Sequence, residues 1–581
     1  MTPSPANRTA APACTLRMAE AEDREEIYRA RHEVYARELG QHRANGGGRL
    51  TDALDGWNRY IVARGPSGLL GFVSITPPGS PSLSLDKYFR RESLPFPVDG
   101  DLHEVRLLTV LRPHRGREVA LLLMHAALRW VESHGGTRIA AIGRREILDF
   151  YLRVGLRRGG LSARSGAVTY DLLHGTVGEL QAARDGIPAA LERLRDGLRW
   201  DLPFPFARPA ACLHGGASFR AVGERFDRPG RRAEVIAADV LDAWYPPAPG
   251  VLRALAEDPA WLLRTSPPTA CGGFLAAVAE ARGVAPECLV PGAGSSDLVF
   301  RALLHWLDRS SRVLLLDPTY GEYAHVLGSV VGARVERLAL REEEGFVPDP
   351  DRLAAALASA PDLAVIVNPN SPTGRHVPRS DLEAVLARAP GRTRIWLDET
   401  YVEHAGPEES LERFAARSEG VLVCKSMSKI YALSGARVAY LCGGRHQVEA
   451  IRALTPPWAM GLPSQVAGVK ALEDPGYYAG RIRETRVLRC RLAEGLHALG
   501  WRPVPGVANF LLCRIPDGGP GAASWVQACA RRDLFLRDAG AMGTSLGDRF
   551  VRVAVKDAAT QERLLAILRE VRDGFPPPRS A

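Results

Sequence analysis

The chain has 581 residues, of which 46% are hydrophobic and 24% are charged, a composition typical of globular proteins with two or three domains. Its formal net charge of +9 is small for this length and its arginines are scattered among acidic residues, which argues against a nucleic-acid-binding arm. The nine cysteines include no CxxC pair, which argues against zinc ribbons and redox motifs. No apolar run is long enough to span a bilayer, and we expect a cytoplasmic protein without a metal site.

The first region, residues 14–175, is predicted to be one compact α/β domain. Its opening segment combines a strand with an amphipathic helix whose start is acidic. Short apolar runs such as "NRYIVARG" and "LLGFVSIT" predict strands, and "REVALLLMHAALRWVESHGG" predicts a long helix. A helical apolar period then continues over residues 176–200 until prolines break it, so we expect a helical linker at 176–230.

The second region, residues 231–576, alternates apolar strands with helices. Strand-like runs such as "SRVLLLD", "LAVIVN", "RIWLDE" and "GVLVCKS" are separated by helical segments. This alternation predicts an α/β fold with a mostly parallel sheet between two layers of helices. In such sheets the chemistry lies at the carboxyl ends of the strands, and five polar motifs of this region follow predicted strands.

The first two motifs combine glycine, serine and tyrosine. In "VPGAGSSDLVF", Gly294, Ser295 and Ser296 open a helix, where backbone N–H groups and a hydroxyl can bind a phosphate. The alternative is a simple helix cap. In "LLLDPTYGEY", Tyr320 projects from a turn, where its ring can stack on a flat ligand or can serve only packing.

The third and fourth motifs carry an amide, a carboxylate and a phenol. "VIVNPNSPTG" ends a strand in a tight turn that contains Asn370 and Ser371, and the turn alone is a sufficient alternative explanation. In "RIWLDETYVEH", Asp398 directly follows a hydrophobic strand, where a carboxylate is costly unless it is paired. Tyr401 follows three residues later.

The fifth motif, "KSMSKIYALSGAR", contains two lysines four residues apart. Its strand runs into a turn that brings Ser426, Ser428 and Lys429 close together, and Arg437 follows eight residues after Lys429. The motif is either an ordinary basic turn or a site where Lys425 or Lys429 holds a cofactor covalently.

In this order, the five motifs resemble those of the fold-type I pyridoxal-phosphate enzymes of the class I/II aminotransferase family, over residues 232–575. The branch they resemble most contains histidinol-phosphate aminotransferase and threonine-phosphate decarboxylase. The resemblance implies a homodimer and a smaller C-terminal α/β subdomain. It also implies pyridoxal 5′-phosphate held covalently by Lys429, whose amine moves the α-proton of a small amino-acid substrate. Lys425 lies on the strand side of the motif and is the rival lysine.

The resemblance assigns roles to the other motif residues. Asp398 resembles the carboxylate that pairs with the pyridine nitrogen and makes the ring a better electron sink. Tyr401 resembles the phenol that hydrogen-bonds the cofactor O3′, and Tyr320 resembles the residue stacked on the ring. The phosphate cup is implied to consist of Gly294, Ser295, Ser296, Ser426, Ser428 and Arg437.

Residues outside the five motifs resemble the substrate side of the site. Arg552 resembles the arginine that binds the substrate α-carboxylate, and Asn509 lies where the family often lines the substrate pocket. Arg537 is either a second anion contact or part of a surface ion pair. Trp244 and Tyr245 lie where the family closes over the substrate, either as the entrance to the site or as core aromatics.

Two departures from the family pattern leave the reaction open. The family usually has asparagine at the position of Ser371, where it contacts O3′, and Asn370 is the candidate replacement. The family's tyrosine that reaches the phosphate of the neighbouring subunit is not evident, and Thr265 or Ser266 is offered in its place. Transamination is the default reaction, with specialised natural-product metabolism as the setting. The alternatives are decarboxylation and γ-elimination from S-adenosylmethionine, followed by replacement or annulation that forms a carbon–carbon bond, through an external aldimine and a Cα carbanion.

The first region resembles the GCN5-related N-acetyltransferase fold through "EVRLLTVLRPHRGREVALLLMHAALRW". In that family a loop after the strand binds the pyrophosphate of acetyl-CoA, but Glu118 replaces a glycine here and adds bulk and negative charge that oppose binding. Tyr151 resembles the acid that protonates the leaving thiolate. The alternatives are a bifunctional N-acetyltransferase/aminotransferase and an inactive domain that is structural or gates the substrate. A DNA-binding regulator with an aminotransferase-like sensor domain is a third, but no recognition-helix pattern supports it.

Overall fold

The computed structural model describes residues 14–115, 117–185, 195, 197–207, 215–226 and 229–575. The chain divides into two units, Met1–Pro209 (unit 1) and Ala210–Ala581 (unit 2). Each unit has its own sheet and its own hydrophobic core. No helix in the described ranges combines the length and the apolar composition that crossing a bilayer requires.

Unit 1 is built on one mixed sheet. Its strands are β1 (Cys14–Met18), β2 (Arg59–Gly65), β3 (Gly68–Thr76), β4 (Leu102–Val110), β5 (Arg138–Arg144), β6 (Arg157–Ser165), β7 (Val168–Thr176) and β8 (Leu198–Asp201). Its described helices are α1 (Ala21–Arg31), α2 (Arg117–Ser133), α3 (Leu148–Arg153) and α4 (Val177–Asp185). The eight strands lie in the order β6-β7-β5-β4-β3-β2-β1-β8.

The long helix predicted in the first region packs its apolar face on this sheet. Leu123, Ala126, Ala127 and Val131 of α2 recur at spacings of three and four residues, which places them on one side of a helix. All four are fully buried, and the helix contacts β3 and β4. The apolar period read from the sequence is therefore the face that builds the core of unit 1.

The predicted linker is largely incorporated into the two units. α4 occupies its beginning, and β8 joins the sheet of unit 1 by pairing in parallel with β1. The boundary between the two units lies between residues 209 and 210, inside the range predicted for the linker. Parts of the predicted linker lie outside the described residues, namely 186–194, 196, 208–214 and 227–228.

Unit 2 contains thirteen strands in its described part. They are β9 (Ile236–Ala237), β10 (Leu289–Gly292), β11 (Arg312–Asp317), β12 (Arg334–Ala339), β13 (Leu363–Val367), β14 (Arg394–Asp398), β15 (Val421–Ser426), β16 (Ala439–Gly443), β17 (Arg502–Pro503), β18 (Phe510–Arg514), β19 (Leu534–Phe535), β20 (Arg537–Asp538) and β21 (Phe550–Ala554).

The described helices of unit 2 surround these strands. They are α5 (Ser218–Val222), α6 (Pro249–Glu257), α7 (Pro259–Arg264), α8 (Gly272–Arg282), α9 (Ser295–Trp306), α10 (Gly321–His325), α11 (Pro350–Leu357), α12 (Arg379–Leu386), α13 (Glu412–Ala415), α14 (Arg445–Ala453), α15 (Leu462–Leu472), α16 (Pro475–Ala498), α17 (Ala522–Ala530) and α18 (Ala558–Asp573).

The main sheet of unit 2 has the strand order β10-β16-β15-β14-β13-β11-β12. β11 to β15 are parallel, and β16 is antiparallel to both of its neighbours. β13, β15 and the last residues of β11 and β14 are buried on both faces, which is why these strands read as continuous apolar runs. The predicted α/β fold with a mostly parallel sheet is confirmed.

A second, antiparallel sheet with the order β17-β18-β21-β20 forms the smaller part of unit 2. Its strands share a core with α16, α17 and α18, in which Leu492, Trp501, Phe510 and Leu564 are almost fully buried. This part supplies β21, the strand that carries one of the predicted substrate-binding arginines.

Candidate active site

A cavity of about 210 Å³ lies at the carboxyl ends of β13, β14 and β15. Polar residues that follow parallel strands meet at this edge of a sheet, as expected for an open α/β fold. The predicted site residues that line it are Ser295, Ser296, Tyr320, Ser371, Asp398, Tyr401, Ser426, Ser428, Lys429, Arg437, Arg537 and Arg552. The structure thus brings residues from all five motifs to one cavity.

The amine of Lys429 is largely buried and forms an ion pair. Its Nζ lies 3.1 Å from Oδ1 of Asp242, and the hydroxyl of Ser434 donates to the same oxygen at 2.6 Å. Burial lowers the pKa of Lys429, and Asp242 opposes this shift. The amine therefore loses its proton more readily than an exposed lysine does, as a nucleophile requires.

The rival lysine, Lys425, lies in a buried ion cluster and not on the cavity wall. Its Nζ is 2.8 Å from Glu403 and 3.7 Å from Glu399. Arg282 joins the cluster through Glu403 and Glu412, at 3.3 and 3.6 Å. Burial raises the pKa of Glu399 to about 7. Because its amine is held by these carboxylates, Lys425 is not available to a ligand of the cavity.

Asp398 ends β14 as a buried carboxylate that accepts hydrogen bonds from neutral groups. Tyr323 donates its hydroxyl at 2.8 Å, and Thr400 donates its backbone N–H and its hydroxyl at 2.9 and 2.6 Å. Burial raises the pKa of Asp398, and these hydrogen bonds oppose the shift only in part. In the described part of the chain, no basic side chain forms an ion pair with Asp398, so a cationic ligand group beside it is stabilised.

The start of α9 and the fifth motif together form an anion site. Ser295 and Ser296 are the first residues of α9, and Gly294 before them has a φ of 87°. A Cβ atom at Gly294 would overlap Nη2 of Arg437, so glycine allows the guanidinium to approach the backbone here. A helix N-terminus, hydroxyls and a guanidinium are the groups that bind phosphate. The adjoining wall contributes Ser426 and Ser428.

Arg552 is a buried guanidinium on β21. Its Nη1 donates to the hydroxyl of Ser371 at 3.1 Å, and its Nη2 donates to the backbone carbonyl of Asp239 at 3.0 Å. Burial lowers its pKa to about 10. Arg537 lies opposite Arg552 in the β20–β21 register and lines the same cavity. Two adjacent arginines make this wall suitable for an anionic substrate group.

The amide of Asn370, the candidate replacement for the family's asparagine, is hydrogen-bonded to neighbouring turns of the protein. Its Nδ2 donates to the carbonyl of Pro318 at 2.9 Å and to the hydroxyl of Thr373 at 3.2 Å. Its Oδ1 accepts from the hydroxyl of Thr319 at 3.0 Å. Asn370 is fully buried and is not on the cavity wall, so it does not replace the asparagine that Ser371 substitutes.

Three predicted substrate-binding residues also lie off the cavity wall. Asn509 donates its amide to the carbonyl of Leu241 at 3.0 Å. Trp244 donates its indole N–H to a threonine of α16 at 2.9 Å. Tyr245 is buried and donates its hydroxyl to the carbonyl of Ile430 at 2.8 Å. Tyr245 and Asn509 are buried, Trp244 is partly buried, and the polar groups of all three are hydrogen-bonded within the protein.

Sequence reasoning missed several residues of the site. Asp239 lines the cavity, and Asp242 pairs with the lysine amine. Both precede α6 on a segment without periodic apolar spacing, so no pattern distinguishes them from loop residues. Glu322 accepts from the hydroxyl of Ser296 at 3.0 Å, and Thr400 caps the carboxylate of Asp398. Of these residues, only Thr400 could have been found from the sequence, because it lies two residues after Asp398 and can donate to its carboxylate.

The groups around the cavity fit pyridoxal phosphate. The anion site at Arg437 suits the phosphate, and the uncompensated carboxylate of Asp398 suits a protonated ring nitrogen. The amine of Lys429 suits the aldehyde. Tyr320 is half-buried on the wall, where its ring can pack on a flat ligand.

A parallel α/β unit with these groups at its strand ends has the architecture of the fold-type I transferases that use pyridoxal phosphate. The model of the family "Aminotransferase class I and II" matches residues 253–568, which is more than half of the chain and lies within unit 2. The chain therefore belongs to the class I and II aminotransferase family, whose members are pyridoxal-phosphate-dependent transferases.

Curated proteins and solved structures agree with this membership. The chain is 31% identical over 319 residues to histidinol-phosphate aminotransferase 1 of Thiobacillus denitrificans, which covers 53% of this chain and 78% of that protein. It is 28% identical over 330 residues to the aromatic amino acid aminotransferase of Streptomyces coelicolor, which covers 56% and 88%. The fold matches the histidinol-phosphate aminotransferase of Sinorhizobium meliloti in complex with pyridoxal-5′-phosphate, with a TM-score of 0.53, 23% identity and coverage of 59% and 93%.

The ion pair between Asp242 and Lys429 makes a testable contribution to the proton affinity of the lysine. We expect Asp242→Asn to lower the pKa of Lys429, because burial then acts without an opposing carboxylate. The amine is consequently neutral over a wider pH range. Acylation of the apoprotein by acetic anhydride, followed by peptide mass spectrometry across pH, should show faster modification of Lys429 near neutral pH. Glu473→Gln, which removes the partner of the surface residue Lys470, is the control, and an unchanged profile for Asp242→Asn would contradict the expectation.

The close approach of Arg437 to Gly294 predicts a strong effect of one added methyl group. Gly294→Ala places a Cβ against the guanidinium at a positive φ, so we expect pyridoxal phosphate to bind at least about tenfold more weakly. Titration of the apoprotein with the cofactor, followed by absorbance, measures this change. Gly328→Ala is the control, since nothing lies within 4 Å of its Cβ position. Equal affinities in the two variants would show that Arg437 does not need this approach.

Proposed function

We propose that unit 2 is a pyridoxal-phosphate enzyme that acts on an amino acid or an amino-acid derivative, with transamination as its default reaction. The observation that carries the proposal is that Lys429, Asp398 and Arg552 border one cavity. They supply an amine, a buried carboxylate and a guanidinium suited to a substrate carboxylate. The similarity to aminotransferases of histidinol phosphate and aromatic amino acids supports the same reaction class.

In this proposal each side chain has a separate task. When bound, pyridoxal phosphate supplies an electron sink for the negative charge that develops at the substrate Cα. Lys429 holds the cofactor and moves the proton at Cα. Asp398 keeps a proton on the ring nitrogen because its buried charge has no other cation. Arg552 orients the substrate carboxylate and so fixes which bond at Cα faces the lysine.

The phenol of Tyr401 contributes more to the hydrogen bonding of the cofactor O3′ here than in the family pattern. Burial raises the pKa of Tyr401, so the phenol keeps its proton and can donate a hydrogen bond to O3′ of the cofactor. Asn370 is held inside its turn, and the hydroxyl of Ser371 accepts from Arg552. Without an amide at position 371, Tyr401 is the donor that sets the electron distribution at O3′.

A second candidate reaction is γ-elimination from S-adenosylmethionine followed by carbon–carbon bond formation, in specialised metabolism. Asp239 favours it, because its carboxylate is 3% exposed and its Oδ1 has no hydrogen-bond partner among the described residues. Asp239 also lines the cavity, where a buried carboxylate attracts a cationic group such as a sulfonium.

Product analysis separates the two reactions. The holoenzyme is incubated with amino-acid panels and with S-adenosylmethionine, and the products are identified by mass spectrometry. Transamination predicts a 2-oxo acid. Release of methylthioadenosine without a 2-oxo acid would establish the elimination and exclude simple transamination, and Asp239→Asn should then slow that release.

We also propose a homodimer for unit 2. Leu252, Trp261 and Leu263 of α6 and α7 are 47%, 43% and 81% exposed, and large apolar side chains grouped in this way are usually covered by another protein surface. A second copy of the chain is the occupant that the family resemblance implies. Thr265 and Ser266 follow directly after these residues, so the phosphate contact proposed for them belongs to the same surface. Sedimentation equilibrium measures the association.

For unit 1 we propose an N-acetyltransferase-like fold in a structural or gating role, with a bifunctional enzyme as the alternative. Support for the fold comes from β4 and β5, which run parallel and then separate. Glu118 lies in the exposed first turn of α2, where its charge disfavours a pyrophosphate. Gly116 of the same loop lies outside the described residues. Titration of the full chain with acetyl-CoA tests the alternative, and no heat of binding would end it.

The central prediction concerns the cofactor lysine. The wild-type protein should absorb near ~420 nm, the usual band of lysine-bound pyridoxal phosphate. Lys429→Ala should remove this band and the turnover, because Lys429 is the one lysine among the described residues that line the cavity. Borohydride treatment of the wild type followed by peptide mass spectrometry should find the cofactor on Lys429. Lys470→Ala, at an exposed lysine, should change neither result. A cofactor found on Lys425 would refute the assignment.

A further inference from the structure

Unit 1 contains a large cavity where β4 and β5 separate. The two strands pair over three positions, from Leu102 to Glu104 of β4 and from Arg138 to Ala140 of β5. Beyond these positions, residues of both strands line a space of about 1100 Å³. A cavity of this size accommodates a small organic molecule, and the function proposed for unit 2 does not use it.

On the floor of this cavity, the charged side chains have partners of opposite charge. Asp52 accepts hydrogen bonds from Arg106 and Lys87, and Arg31 pairs with Asp55 at 2.7 Å. These charges stabilise one another and do not require a ligand. Two further cations on the wall are also engaged: Arg115 pairs with Glu38, and Arg153 donates to the backbone carbonyl of Asp149.

Arg144 differs from these cations. It is the last residue of β5, is half-buried and lines the cavity. Within the described ranges its guanidinium makes no hydrogen bond and no ion pair. Burial raises the pKa of Tyr35, Tyr151 and Tyr170, and the nearby charge of Arg144 partly opposes that rise. Arg144 therefore places a positive charge without a carboxylate partner on a half-buried part of the wall, close to these phenols.

Tyr151 is the phenol best placed to assist Arg144. It lines the cavity, and its hydroxyl forms no hydrogen bond with any described residue. The hydroxyls of the other two phenols are already bonded, Tyr35 to Thr109 at 2.9 Å and Tyr170 to Gln41 at 2.7 Å. Because burial keeps Tyr151 protonated, its hydroxyl can donate to an anion that Arg144 attracts.

The remaining wall is apolar. Leu108, Leu121, Ile142, Phe150 and Val154 line the same cavity, so a ligand that fills it gains free energy by removing apolar surface from water. The guanidinium of Arg144 matches a negatively charged group. A planar guanidinium matches the two oxygens of a carboxylate in particular.

We propose that unit 1 binds a small carboxylic acid with an apolar body, whose carboxylate is held by Arg144 and the hydroxyl of Tyr151. This binding site is separate from the site proposed in unit 2 and adds a second ligand to the chain.

Calorimetric titration of the full-length holoenzyme tests the site with 4-phenylbutyrate, which carries a carboxylate on an apolar body. The matched probe is 4-phenylbutan-1-ol, which has the same body without the charge. We expect the acid to bind and the alcohol to bind about 10- to 100-fold more weakly, the range of a charge-assisted hydrogen bond. Arg144→Gln should weaken binding of the acid by the same factor. Arg145→Gln, the neighbouring exposed residue that pairs with Asp171, should leave it unchanged.

The two binding sites of the chain are distinguished by one more variant. Arg552→Gln removes the guanidinium proposed to bind carboxylates in unit 2 and should leave the heat of 4-phenylbutyrate binding intact. Loss of that heat in Arg552→Gln, equal binding of acid and alcohol, unaltered binding in Arg144→Gln, or no binding at millimolar concentration would each overturn the proposal. The comparison of acid and alcohol uses the wild-type protein and does not depend on any variant folding. The absorbance band of Lys429 reports on the function of unit 2 independently.

Discussion

The carboxylate of Asp398 is buried and forms no ion pair with a described basic side chain, and the centre of unit 2 is organised around that one charge. Its hydrogen bonds from Tyr323 and Thr400 reduce the cost of burial but do not remove it. Tyr323 is itself fixed by the indole N–H of Trp396 at 2.8 Å. A buried carboxylate held in this way is stabilised by a cationic group beside it. The role proposed for Asp398 beside a protonated ring nitrogen depends on this property.

The other groups of the site are held by contacts between distant parts of the chain. Arg437 reaches the anion site because Gly294, far earlier in the sequence, leaves room for it. Arg552 is held by Ser371 from the main sheet and by the backbone of Asp239. The site therefore forms only when the main sheet and the antiparallel sheet of unit 2 pack together. The positions of the site residues therefore depend on the packing of the whole unit, and small changes in that packing alter the reaction rate.

The sequence was informative where a residue followed a strand and uninformative where its direction depended on local packing. Parallel strands end at one edge of a sheet, so the sequence alone predicted that Lys429, Asp398 and Tyr401 lie at one site. Asn370 is also in a strand-end motif, but the turn directs its amide inward, and residue type alone does not reveal that direction. Asp242 belongs to an irregular segment, and its contact with Lys429 joins residues that are 187 positions apart in the sequence.

The extent of unit 1 was unclear in the sequence for the same reason. β8 has only four residues in a proline-rich stretch, and its partner β1 lies at the opposite end of the unit, with Cys14 opposite Leu198. The strand propensity of four residues is a weaker signal than the helical apolar period that precedes them. The pairing is dictated by tertiary packing.

The ion cluster around Lys425 couples folding of unit 2 to protonation. It places three carboxylates against two cations, and burial raises the pKa of Glu399 from 4.5 to about 7. The folded state therefore holds a proton that the unfolded chain releases between those two values. The stabilising contribution of this proton is complete below about pH 4.5 and is lost as the pH rises through about 7. Folding thus takes up hydrogen ions in mildly acidic solution, and this cluster stabilises the fold less as the pH rises through about 7.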